Sequence, residues 1–87
     1  MDNKQFIDLA QTKVIEYNND NPLLKKLKKK DVFVVWYAKT LQNHKALLGT
    51  TVEDDNRYFE ATYNGDKKEL YLDVYTKKVN ECYKIGD

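Results

Sequence analysis

The sequence predicts a single α+β domain in which an N-terminal helix packs on one face of a four-stranded antiparallel meander. Three observations carry this reading. Apolar side chains recur at helical spacing over the first 20 residues. From Asp31 to Thr76 the chain is dense in β-branched and aromatic residues with strand-like alternation. Asn64-Gly65-Asp66 sits between two alternating runs as a hairpin turn. With 87 residues there is room for one domain spanning 1–87, and a domain of this size buries little more than half of its unfolded surface.

Residues 1–20 form the helix. Asp2 or Asn3 can cap it, with Gln5 placed for a capping box. Phe6, Leu9, Ala10, Val14 and Tyr17 make the apolar stripe, while Lys4, Asp8, Gln11 and Glu16 lie mostly opposite. Asn18-Asn19-Asp20-Asn21 ends the helix, because these side chains compete for backbone hydrogen bonds. Residues 21–30 read as a basic turn or a short second helix. Asn21-Pro22 is a natural restart and Leu23, Leu24 and Leu27 could share a face, but Lys25, Lys26, Lys28, Lys29 and Lys30 repel one another.

The strands are expected at about 31–41, 45–52, 57–64 and 68–76. A first hairpin turning at Asn43-His44 would set Leu41 opposite Ala46, Lys39 opposite Leu48, Tyr37 opposite Thr50 and Val35 opposite Val52. Val34, Trp36, Ala38 and Thr40 then share the other face with Leu47, Gly49 and Thr51, and Gly49 opposite Ala38 leaves a shallow place beside the Trp36 ring. After the acidic loop Glu53-Asp54-Asp55-Asn56, the third strand points Phe59, Ala61 and Tyr63 one way and Tyr58, Glu60 and Thr62 the other. Asn64-Gly65 supplies the positive φ of the second turn. The return strand adds Leu70, Leu72 and Val74 to the core face, and Tyr58, Tyr71 and Tyr75 gather beside Glu60, Glu69 and Asp73. Residues 77–87 are a tail, read as a further strand after a bend near Lys77-Lys78, with Val79, Cys82 and Tyr83 also allowing a helical turn. One helix cannot cover both sheet faces, so a homo-oligomer, a ligand or the tail is expected on the second.

Fifteen Lys and Arg against fourteen Asp and Glu leave no global field to attract nucleic acid or a membrane. No basic n-region precedes an apolar core, and no window approaches the roughly 18 apolar residues of a membrane span. The lone Cys82 excludes an internal disulfide, fits a reducing compartment and is expected as a half-buried small hydrophobe. The sequence has one histidine, one cysteine and no serine. It therefore lacks a Ser-His-Asp arrangement, any metal spacing of Cys and His, and a Gly-rich phosphate loop. No catalytic residue, metal or cofactor is expected.

The binding inventory is richer, since 13% aromatic content exceeds what such a core needs. Trp36, Tyr37, Lys39, Thr40, Asn43, His44 and Lys45 form a candidate ligand platform, with rings to stack on a base and lysines to hold phosphate. His44, at the expected turn tip, reads first as a surface residue. The cluster Lys25, Lys26, Lys28, Lys29 and Lys30 could serve a small anionic ligand, although a solvated basic turn is its plainer meaning. Tyr58, Tyr71 and Tyr75 form a second candidate, a protein interface. Glu60, Glu69 and Asp73 beside them read as a solvated strand face.

Two stretches, VVWYAKTLQNHKALL and YFEATYNGDKKELYLDVY, carry a resemblance to a family of short uncharacterised proteins of bacteriophages and prophages of Gram-positive bacteria, a domain of unknown function. They cover about half of the chain, and the N-terminal helix is similar only in type and length. The resemblance brings no activity or catalytic residues. It implies an accessory protein of a mobile element in a bacterial cytoplasm, where small binders often neutralise a host system. The expected function is thus non-enzymatic antagonism of a host antiviral defence by sequestering a nucleotide-type signalling molecule. The alternative is an inhibitor that binds a host or defence protein through the tyrosine face. A small hydrolase or nuclease ranks below both, because acid–base groups do not cluster.

Overall fold

The computed structural model describes residues 1–86. One helix, α1 (Asn3–Asn19), precedes a short 3-10 turn (Lys29–Asp31) and four strands, β1 (Val32–Thr40), β2 (Asn43–Thr50), β3 (Arg57–Asn64) and β4 (Glu69–Thr76). The strands form one antiparallel sheet in the order β1-β2-β3-β4. This is the α+β meander that the sequence predicts.

The capping box starts α1 as expected. Asp2 Oδ1 accepts the Gln5 backbone N–H at 2.8 Å, and Gln5 Oε1 accepts the Asp2 N–H at 2.9 Å, so two otherwise orphaned donors are satisfied. Phe6, Ala10, Val14 and Asn18, at intervals of four, are the buried positions of α1. Tyr17, expected on that stripe, is half exposed and meets the Phe59 ring edge-on at 6.3 Å.

No second helix forms in residues 21–28. Asn21-Pro22 opens only a turn, closed by the Leu24 N–H on the Asn21 carbonyl at 3.2 Å. The reason lies in the asparagines at the end of α1. Asn18 Nδ2 donates to the Lys25 carbonyl at 2.8 Å. Asn19 Oδ1 accepts the Leu27 N–H at 2.8 Å, and its Nδ2 donates to the Leu27 carbonyl at 3.1 Å. The segment is held extended against the helix end by side-chain amides acting as a surrogate strand, which buries Leu27.

The first hairpin differs from expectation. Its turn is Leu41-Gln42, with Leu41 at φ 58, and not Asn43-His44. Thr40 pairs with Asn43, Lys39 with His44, Tyr37 with Ala46 and Trp36 with Leu47. The earlier turn frees Asn43, whose Oδ1 accepts the Gly65 N–H at 2.9 Å and ties this hairpin to the next. A β-bulge between Val34 and Trp36 then reverses the alternation in the first part of β1. Val32 and Val34 therefore face the helix together with Tyr37, and Phe33 joins Trp36 on the far side. Gly49 lies opposite Phe33 and not Ala38, directly beneath that ring, where an added Cβ would stand 2.9 Å from Phe33 Cζ.

The second hairpin keeps the expected parity, with Phe59 opposite Val74, Ala61 opposite Leu72 and Tyr63 opposite Leu70. Its turn occupies the four residues between the pair Asn64 and Glu69, and Lys68 carries the positive φ of 55 while Gly65 does not. A glycine is required at 65 for another reason: a Cβ there would sit 2.3 Å from the Gln42 carbonyl oxygen.

The core between α1 and the sheet consists of Phe6, Ala10, Val14, Leu27, Val32, Ala46, Leu48, Phe59 and Ala61. Residues 77–86 form no strand and no helical turn. They leave the sheet after one hydrogen bond, from the Lys77 N–H to the Asn56 carbonyl at 2.6 Å. Cys82 is exposed, not half-buried. The reading of Asp87 as part of the tail lies outside the described residues. Among the described residues no helix is long and apolar enough to cross a membrane.

Candidate functional site

The helix covers one face of the sheet, and the other face is bare. Strand register sets its side chains in rows. Phe33 lies beside Gly49; Trp36, Leu47, Glu60 and Asp73 cross all four strands; Ala38, Lys45, Thr62 and Tyr71 form the next row; Tyr58 pairs with Tyr75. Phe33, Val35, Trp36, Tyr58, Tyr71 and Tyr75 are all 41% or more exposed. The aromatic platform around Trp36 and the tyrosine interface, which the sequence presents as separate candidates, thus belong to one surface.

On this surface a cleft of about 250 Å³ is lined by Trp36, Ala38, Thr40, Asn43, His44, Lys45 and Thr62. Lys45 Nζ stands 3.7 Å from Glu60 Oε1. Tyr58 and Tyr75 stack at 5.1 Å with 15° between their planes, an offset arrangement that favours ring contact. Tyr71 donates to Glu69 at 3.0 Å. That bond holds the Tyr71 phenol above its ordinary pKa, and the Glu60 charge does the same for Tyr75. Both hydroxyls are therefore neutral near pH 7, with the Tyr71 proton already given to Glu69. The charged groups of the face are one lysine, Lys45, and three carboxylates, Glu60, Glu69 and Asp73.

Of the seven platform residues, Trp36, Thr40, Asn43 and Lys45 come together, while Tyr37 and Lys39 fall on the helix side. His44 is corrected most. With the turn at Leu41-Gln42 it is not a surface tip residue but a core residue, 2% exposed. Its ring stacks on Phe6 at 5.0 Å and lies near Tyr37 and Tyr63. Nδ1 meets the Tyr37 hydroxyl at 2.7 Å and Nε2 meets the Met1 carbonyl at 3.2 Å. Because a carbonyl only accepts, the partners assign the proton to Nε2 and leave Nδ1 to accept from Tyr37. Burial pushes the His44 pKa down. His44 therefore borders the cleft through its strand, with its ring on the opposite face.

The basic cluster stays apart from this surface. Lys29 pairs with Asp8 on α1, Lys26 Nζ donates to the Asn19 carbonyl at 2.7 Å, and Lys25 lines a cleft at the end of α1. Lys29 thus neutralises a helix carboxylate and Lys26 caps the helix end, and the cluster does not converge with Trp36.

Sequence reasoning missed the group that holds the opposite rim. Arg57 Nε and Nη2 donate to the two oxygens of Asp55 at 2.9 and 3.0 Å, and Nη2 also reaches Asn18 Oδ1 at 2.9 Å. The Thr50 hydroxyl donates to Asp55 as well. The guanidinium lies 5.2 Å from the centre of the Phe59 ring, within cation–π range. Arg57 holds the Asp55 carboxyl down to about 2. This bidentate clamp fixes the end of α1 to the β2–β3 loop. Its residues are scattered through runs that read as polar loop or solvated strand, so no spacing announced it. Phe33 and Val35 were also missed on the open face, because the bulge is invisible in an unbroken apolar run. Among the described residues no group of three or more His, Cys, Asp or Glu could hold a metal ion.

Compared with known proteins, residues 7–85 match the model of a family of unknown function (DUF6275). No curated protein and no solved structure matches the chain.

Proposed function

We propose that this chain, which belongs to the DUF6275 family of unknown function, is a non-enzymatic binding protein that works through the uncovered face of its sheet. The observation that carries the reading is the row of half-exposed aromatic side chains reaching from Phe33 and Trp36 on β1 to Tyr71 and Tyr75 on β4. Eight-residue strands rising about 3.3 Å per residue and spaced about 4.8 Å apart give a face of roughly 26 by 19 Å. That is about 500 Å² before corrugation, a large part of the roughly 800 Å² each partner gives to a standard protein interface. Tyr and Trp are the side chains that dominate binding energy in such contacts. The cations, by contrast, do not gather for phosphate, since Lys45 is matched by Glu60 and the remaining lysines lie elsewhere. A protein partner fits this face better than a polyanion.

The resemblance to phage and prophage proteins supplies the setting: an accessory protein acting in a bacterial cytoplasm and antagonising a host antiviral defence by binding a defence protein. A second reading keeps the nucleotide-type signal as ligand, and one observation favours it, the convergence of Trp36, Thr40, Asn43 and Lys45 around the 250 Å³ cleft. Two double variants separate the readings in a phage-plating assay on a defence-positive host. Tyr58→Ala with Tyr75→Ala removes an exposed stack and should leave the fold intact. Under the first reading it abolishes both protection and the complex with the defence protein. Thr40→Ala with Lys45→Ala should leave both unchanged. The reverse pattern, with loss of signal depletion from a lysate, would transfer the function to the cleft.

A further inference from the structure

We infer that residues 78–85 of one molecule add as a fifth strand to the β4 edge of a second copy. The two edges of the sheet are unequal. β1 is interrupted by its bulge, a feature that blunts an edge against pairing, whereas β4 runs for eight residues in unbroken register with β3. No described residue pairs with the outer side of β4. Its two faces differ. Leu70, Leu72 and Val74 point to the helix side and are only partly covered, while Glu69, Tyr71, Asp73 and Tyr75 point to the open side and are exposed.

The segment that follows β4 carries the complementary pattern. At every second position it has Val79, Tyr83 and Ile85, exposed by 66%, 74% and 80%. The intervening positions carry Lys78 and Lys84, with Asn80 and Cys82 between them. A strand alternates its side chains between faces. Placed antiparallel against β4 with Val79 beside Val74, it sets Tyr83 beside Leu70 and Lys84 beside Glu69, brings Lys78 diagonal to Asp73, and leaves Glu81 facing Leu72. Only Glu81 runs against the pattern. In its own molecule these side chains stay exposed, and the Tyr83 hydroxyl donates only to Glu81 of the same segment at 2.7 Å.

Return of the segment to its own β4 would need a reversal immediately after Thr76. That place holds Lys77 and Lys78, neither a turn former, and Lys77 is instead bonded straight on to Asn56. A second copy meets no such constraint, and reciprocal exchange closes a two-fold dimer. This inference is independent of which partner occupies the open face.

Sedimentation of the full chain at tens of micromolar should show a dimer. Lys78→Glu with Lys84→Glu should weaken association at least about tenfold, and adding Glu69→Lys with Asp73→Lys should restore it. Cross-linking fixes the geometry. Tyr71→Cys, Asp73→Cys and Tyr75→Cys, made one at a time, place a thiol on the face that Cys82 would share. After oxidation of mixed light and heavy isotope chains, at least one variant should yield a peptide joining Cys82 of one chain to the introduced thiol of another. A monomer at about 100 μM, charge reversal that does not rescue, or disulfides found only within single chains would overturn the inference.

Discussion

Asp55→Asn tests the clamp that joins the helix end to the β2–β3 loop. Asp55 is 5% exposed at the side chain, and its pKa falls from 3.8 to about 2. The cause is first the hydrogen bonds from the Arg57 guanidinium, then those from Thr50 and the Arg57 backbone, against an opposing burial penalty. A folded-state pKa below the unfolded one means the unfolded chain takes up a proton first. The stabilisation is therefore complete above about pH 5 and is lost as pH falls through 4 towards 2. At roughly 1.36 kcal/mol per unit, the linkage is worth about 2 kcal/mol. That is a large share of the roughly 4 to 13 kcal/mol expected for a domain of this size. Urea unfolding at pH 7, 5, 3.5 and 2.5 would measure it. Asp55→Asn should be about 2 kcal/mol less stable than wild type at pH 7, and the difference should shrink to roughly a third of that at pH 2.5, which is still above the folded-state pKa. A difference that stays constant across this range would show that Asp55 acts through shape and not through its charge, and would refute the electrostatic account of the clamp.

Three further outcomes follow from the packing. The lowered pKa of His44 places its stabilising effect above the unfolded value of 6.5, so wild type should lose stability between pH 7.5 and 5.5, and His44→Phe should flatten that part of the thermal-melt profile. Gly65→Ala should cost about 1 to 3 kcal/mol by chemical denaturation, because its Cβ meets the Gln42 backbone and not a movable side-chain end; an unchanged midpoint would mean that the two hairpin tips are not in contact. Gly49→Ala should cost under about 1 kcal/mol, since the Phe33 ring above it is half exposed and can swing aside.

The helix, its cap and the second hairpin were legible because each is signalled by local chemistry: Asp2 with Gln5, four-residue spacing of Phe6, Ala10 and Val14, and alternation from Arg57 to Thr76. The first hairpin was not. Val32 to Ala38 is apolar or aromatic at every position, so neither face announces itself and a bulge at Val35 leaves no trace in the pattern. The turn was misplaced for a related reason. Asn43 and His44 are good turn residues in isolation, but Asn43 is drawn to Gly65 and His44 to Tyr37 across the hairpin and to Phe6 and Met1, which are remote in sequence. Leu41, a poor candidate for positive φ, is left to take the turn. That one displacement places the His44 ring in the core, while Tyr37 and Lys39 leave the platform through strand alternation alone, which sets them on the face opposite Trp36 and Thr40. Tyr58, Tyr71 and Tyr75 were placed correctly because their strands follow strict alternation.

The sheet is latched at both rims by contacts that skip from one connection to another. At one rim Asn43 and Gln42 hold Gly65 and Asp66; at the other, Asp55 and Arg57 hold Asn18. Neither hairpin can therefore fray from its tip without releasing the other, and the helix end cannot lift without opening the β2–β3 loop. Amide protons of β2 and β3 should then exchange with solvent only through whole-domain opening, giving one uniform protection level across both strands. Amides of residues 78–86, outside both latches, should exchange orders of magnitude faster in the isolated molecule.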